Sequence, residues 1–250
     1  MDLHTQVSDR LNDYILEVED TVGRQVQIEP FSGATTEGPI IAALNVGPSY
    51  PNIDIQYRPL RPLKDQSIEK AIAHELTHAL QIYSLRYPII DAPDDVSSEE
   101  VQKAADIMDF IDDIVIDTLI QKRGFPPTTP DHLKTFEHNC EVLEHAENSS
   151  SIDAHEEDPI KVEIKFIGDY IYAWGLPRYA VLDELTLGIF KRFTRIFPQV
   201  LKHEFKKVRQ IKKLMSTYDI FNKNGRTKVI KGSISLWPLD RRIILTPYAG

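Results

Sequence analysis

The spacing of apolar and polar positions changes period along the chain. Over residues 3–22 the apolar residues Val7, Leu11, Ile15 and Val18 recur at helical intervals, which predicts an amphipathic helix. Three short β-rich runs follow, "RQVQIEPF", "PIIAALNV" and "NIDIQYRPL", divided by Gly, Pro and Ser turn residues. After Pro59 and Pro62, Asp65 or Ser67 supplies an N-cap, and a helix is expected to about Arg86, ahead of Pro88. "YPIIDAPDD" reads as a loop. Ser97 or Ser98 caps a long helix whose first turn holds Glu99 and Glu100, where the helix dipole favours acids; it stops at Gly124, before Pro126 and Pro127. Further helices are expected over about 131–147, 160–174, 178–197 and 199–215. "NSSSIDAHEEDP" has the composition of an exposed loop, and "RTKVIKGSISLW" and "RRIILTP" read as strands. The fold class is therefore α+β and mostly helical, with a small N-terminal β-sheet and no internal repeat.

Composition narrows the setting. A chain of 250 residues, 42% hydrophobic and 27% charged, has the balance of a globular protein with room for a core. No run approaches the roughly 18 consecutive apolar residues that mark a membrane helix, so no membrane span is expected. The polar, acidic stretch "MDLHTQVSDRLNDYILEVED" does not read as a secretory signal. Cys140 is the one cysteine, which excludes an intrachain disulfide and fits a reducing, cytoplasmic setting. The net charge of −9 is unevenly spread: residues 91–163 are acidic, whereas "FKRFTRIFPQVLKHEFKKVRQIKK", residues 190–213, is basic. The basic run reads either as a solvated face or as a surface for an acidic partner. No nucleic-acid motif accompanies it, so specific nucleic-acid binding is not expected.

The chemistry concentrates in "IEKAIAHELTHALQIYSL". His74 and His78 are four apart, so on a helix they share one face and can offer two imidazoles to one ion. Glu75 is too close in sequence to ligate the same ion, and it is placed to act as general base. In a chain of this composition H-E-x-x-H arises by chance in roughly one case in sixty, so context matters. The main apolar stripe of this helix is Ile68, Ile72, Leu76, Ala79, Leu80 and Tyr83, and both histidines point away from it. Their neighbours, Ala71 and Ile82, suit the floor of a cleft.

With "AHELTHAL", strands before it and a second helix after it, residues 24–124, about 40% of the chain, resemble the zincin metallopeptidases. The metzincin pattern requires Gly and His where Gln81 and Ser84 stand, so that class is excluded. The gluzincin pattern takes its third ligand from an acid on a later helix. The helix from Ser98 offers Asp109, Asp112, Asp113 and Asp117, of which Asp109, Asp113 and Asp117 form one stripe. Like charges at this spacing repel by about 0.2–0.5 kcal/mol per pair, which invites a nearby cation. The resemblance implies Asp113 as ligand, with Asp117 supporting a motif histidine; Asp109 with Asp113 is the rival pairing. Asp stands where the family usually has Glu, so the shorter arm requires closer helices.

The resemblance further implies a zincin-like core at 1–125, with a helical part at 126–250 packed on it. It implies a zinc-dependent peptidase acting on peptides or proteins, with Zn²⁺ held by His74, His78 and Asp113 and with Glu75 as the base. The alternatives are a non-catalytic zincin-fold interaction module and, less favoured, a nucleic-acid-associated protein using the basic run. Elsewhere, His138, Glu141 and His145 share a helical face and, with His155, form a second possible metal group, although a solvated face suits their surroundings better. Glu137, Glu141 and Glu144 are the fallback third ligands. Tyr170, Tyr172, Tyr179 and His203 are candidate oxyanion stabilisers.

Overall fold

Helix α1 (Asp9–Val22) starts where the Ser8 side chain accepts from the Leu11 backbone N–H, and it ends at Gly23, whose φ of 72° suits glycine. Its buried face, Leu11, Tyr14, Ile15 and Val18, includes three residues of the expected stripe; the fourth, Val7, is buried but precedes the helix. The protein is described by a computed structural model that covers residues 7–31, 42–45, 51–59, 61–149 and 158–248. It is an α+β protein, mostly helical, with one three-stranded and one two-stranded sheet.

The described residues fall into two compact units. The first comprises Met1–Tyr87, Leu119–Thr129 and Pro247–Gly250. It holds α1 and the strands β1 (Val26–Pro30), β2 (Ala42–Asn45) and β3 (Ile53–Tyr57), in the order β1-β3-β2. β1 runs parallel to β3, with Val26 opposite Ile53, and β2 runs antiparallel to it, with Leu44 opposite Ile55. Ile53 and Ile55 on the central strand are fully buried. Helix α2 (Gln66–Ala79) begins at an Asp65 cap that accepts from the Ser67 backbone N–H. It buries Ile68, Ile72, Leu76 and Ala79 and packs on α1, β2 and β3.

The expected stripe breaks off at Leu80. Residues Leu80–Ser84 form a π-turn, in which the Leu85 N–H donates to the Leu80 carbonyl five residues back. The wider turn rotates the residues beyond Ala79, so Gln81 becomes buried while Leu80 and Tyr83 are only half-buried.

The second unit comprises Pro88–Thr118 and Pro130–Thr246. Most of α3 (Ser98–Lys122) belongs to it, together with α4 (Pro130–Ser149), α5 (Pro159–Gly175), α6 (Glu184–Val200), α7 (Glu204–Thr217) and α8 (Lys223–Ile234). Its core stacks Phe136, Tyr172, Phe190, Phe193 and Phe197. α5 comes close to α3 at its glycines: a Cβ on Gly175 would lie 2.6 Å from Ile114 Cδ1, and one on Gly168 3.0 Å from Phe110.

Two segments differ from the sequence reading. "YPIIDAPDD" contains a strand, β4 (Pro88–Asp91), paired with β5 (Ile244–Pro247) inside the expected strand "RRIILTP". β4 finds its partner more than 150 residues away, so no local signal announces it. "RTKVIKGSISLW" lies mostly in helix α8, where a strand is expected. Its Asn222 side chain caps the helix by accepting from the N–H groups of Asn224 and Gly225. The buried residues Arg226, Val229, Ile230 and Ser233 follow helical spacing, and tertiary packing overrides the β preference of Val229 and Ile230. The expected start of α6 at Arg178 moves to Glu184, because Asp183 provides the cap.

Candidate metal centre

α2 is held from its buried side. The Thr77 hydroxyl donates to the Ala73 carbonyl at 2.8 Å and lies 2.7 Å from the Tyr14 hydroxyl. A hydroxyl has one hydrogen, so Tyr14 donates to Thr77. At the start of the helix, buried Glu69 accepts from the Ser8 N–H at 2.9 Å. These contacts, with the Ile72–Leu76 core, set the rotation of α2 about its axis.

That rotation leaves His74, Glu75 and His78 half-buried. The two imidazole centroids are 4.9 Å apart with the rings inclined at 63°, as expected for residues one turn apart on a single face.

The acids of α3 have separate surroundings. Asp112 is buried and forms an ion pair with Arg226, which is itself fully buried, at 3.0 Å. Asp117 is buried and accepts from the Tyr172 hydroxyl at 2.5 Å. Burial, then the charges of Asp117 and Asp113, hold the Tyr172 phenol well above its ordinary range, so it stays a neutral donor. Asp109 and Asp113 are half-buried.

One ligand atom from each of His74, His78 and Asp113 lies within 4.8 Å of the other two. Among the described residues this is the one group of three with that property. In a tetrahedral zinc site with bonds of about 2.0–2.2 Å, ligand atoms sit ~3.3 Å apart. Two neutral nitrogens and one carboxylate oxygen suit a divalent borderline ion. Asp109 does not belong to the group, and Asp117 is one helical turn beyond Asp113.

No family model, characterised protein or solved structure matched this chain.

The other candidates take ordinary places. His138, Glu141 and His145 are exposed on α4, and His155 lies outside the described residues, as does most of the acidic stretch around it. Glu144 is engaged by Arg192 through two hydrogen bonds, of 2.9 and 2.5 Å, and Glu137 is exposed. Burial raises the Cys140 thiol to about 11, which is unsuited to a nucleophile. Tyr170 is buried, whereas Tyr179 and His203 are exposed. Part of the basic run is neutralised within the unit, Arg192 by Glu144 and Lys207 by Glu163. The Tyr172–Asp117 bond and the Arg226–Asp112 pair escape sequence reasoning, because each joins residues far apart in the chain, 55 and 114 positions respectively.

Proposed function

We propose that this chain is a zinc-dependent metallopeptidase of zincin type, in which His74, His78 and Asp113 hold Zn²⁺ and Glu75 is the general base. The observation that carries the reading is the half-buried His74–His78 pair on one face of α2, with Glu75 beside it and an Asp113 oxygen within 4.8 Å of an imidazole nitrogen of each. When bound, the ion would acidify a water molecule and polarise the scissile carbonyl. Glu75 takes the proton released as that water attacks the peptide carbonyl carbon, and it delivers the proton to the amide nitrogen as the C–N bond breaks. Thr77 and Tyr14 act from the buried side by keeping α2 from turning. We place the enzyme in the cytoplasm, with peptides or proteins as substrates. Its single cysteine is buried, as suits a reducing setting. Among the described residues no helix is long and apolar enough to cross a membrane.

The test pairs metal analysis with a peptide-library digest. Protein purified without chelators or tag metal should carry about one zinc per chain and cleave peptides. Protein that reproducibly refuses added Zn²⁺ removes the reading. Iron in place of zinc reassigns the site, because two histidines and a carboxylate also suit non-haem iron. Bound zinc with equal cleavage by wild type and Glu75→Gln rejects Glu75 as base.

A further inference from the structure

The second unit gathers cations around an aromatic strip. Arg178, just past the end of α5, holds its guanidinium 4.7 Å from the Trp174 ring centre. Lys212 of α7 places Nζ 4.5 Å from the same centre and 5.6 Å from that of Tyr170. The two charges are therefore within about 9 Å of each other. Arg209 lies three residues before Lys212, on the same side of α7, over Phe205, whose ring meets Tyr170 at 5.7 Å. Among the described residues none of these three cations has a carboxylate within ion-pair distance, whereas neighbouring Lys207 and Arg192 each do. Arg178 is exposed and Lys212 half-buried, so the cluster is open to solvent on one side.

We propose that Arg178 and Lys212, flanked by Arg209, form a binding site for a small phosphate-type dianion. A guanidinium fork matches two oxygens of a tetrahedral oxyanion, and an ammonium supplies a point charge to a third. Like charges held this close repel, and a dianion relieves that repulsion. Lys212 registers the strain: burial, then the charge of Arg178, lower its affinity for a proton. The aromatic rings are already overlaid by the cations, which disfavours stacking of nucleic-acid bases and leaves the phosphate group itself as the recognised feature. The alternative is that the cations merely pack on the rings.

The full chain is titrated with inorganic phosphate, and separately with phenyl phosphate, at ionic strength held constant with NaCl. The indole N–H signals of Trp174 and Trp237 are followed by NMR and assigned with Trp174→Phe. The expected result is a saturable shift at Trp174 with both phosphates and none at Trp237. Lys212→Gln and Arg178→Gln should each weaken binding roughly tenfold or more, whereas Lys212→Arg should largely retain it. A shift reproduced by chloride alone, or one that survives in the Arg178→Gln/Lys212→Gln double variant, overturns the proposal. So does a short single-stranded oligonucleotide that displaces phosphate at far lower phosphate concentration, which would reassign the patch to nucleic acid. A readout at Trp174 separates this site from phosphate captured by a metal at His74 and His78.

Discussion

Thr77 and His78 are adjacent in sequence and have opposite duties. Thr77 is 1% exposed and tied to Tyr14, while His78 is half-buried beside His74. Glu75 should behave unlike either. Glu75→Gln keeps the shape but cannot accept a proton, so it should fold, bind zinc nearly normally and lose hydrolysis, by about 10²-fold or more. His74→Ala should lose metal and activity together. Zinc titration of the aspartate variants separates their roles: Asp113→Ala should weaken binding more than Asp109→Ala or Asp117→Ala, since loss of a supporting residue typically costs ~10–100-fold. If Asp109→Ala has the largest effect, Asp113 is not the ligand. Tyr172→Phe leaves the buried Asp117 carboxylate short of a donor, and urea unfolding should register a loss of about 1–3 kcal/mol. The histidine pair and Glu75 are legible in the sequence, because i,i+4 spacing needs only the helix itself. The stripe of Asp109, Asp113 and Asp117 is legible too, and the family spacing singles out Asp113 within it, but the buried partner of Asp117 is not legible. That partner is Tyr172, 55 positions beyond Asp117.

At the scale of elements, caps and close approaches decide what periodicity leaves open. α8 is the clearest case. Asn222 caps it, and Gly225 sits so near the preceding turn that a Cβ there would lie 2.1 Å from the Asp219 carbonyl oxygen. Gly225→Ala must therefore shift backbone, and it should destabilise the protein by about 1–3 kcal/mol or more in denaturant unfolding. Unchanged stability would mean that this turn yields to a methyl group without cost. Thr77→Val tests the hold on α2. It keeps the volume but removes the acceptor for the buried Tyr14 hydroxyl, so a loss of about 1–3 kcal/mol is expected, with the hydrolytic pH profile unmoved. A shifted profile would give Thr77 a part in the chemistry. α8 departs from the sequence reading because short runs rich in Ile and Val suit strand and helix alike until a partner is present, and β4 because its partner strand is more than 150 residues away.

For the molecule as a whole, pH supplies a test independent of the metal. Burial raises Asp169 of α5 to about 7, opposed by the Lys165 charge and by the Asn139 amide that donates to it at 2.7 Å. The folded state therefore holds this proton more tightly than the unfolded state, whose aspartates titrate near ~3.9. This contribution is fully present below about pH 4 and is lost as pH rises through 7. Asp169→Asn mimics the protonated form, so its advantage over wild type should grow between pH 4 and 7 and level off above. Because Asp169 is only half-buried by exposure, the gain should be on the order of 1–2 kcal/mol. Parallel wild-type and variant stability curves across that range would exclude the shift. The α+β class, the helical predominance, the first helix, the three N-terminal strands and the H-E-x-x-H face all come from patterns a few residues long, because caps, turns and one-face amphipathicity are local properties. Tertiary structure alone determined the pairing of β4 with β5, the helical state of α8 and the π-turn after Ala79. Each depends on a partner brought close by the fold, and the energy of such a contact is absent from any short window of sequence.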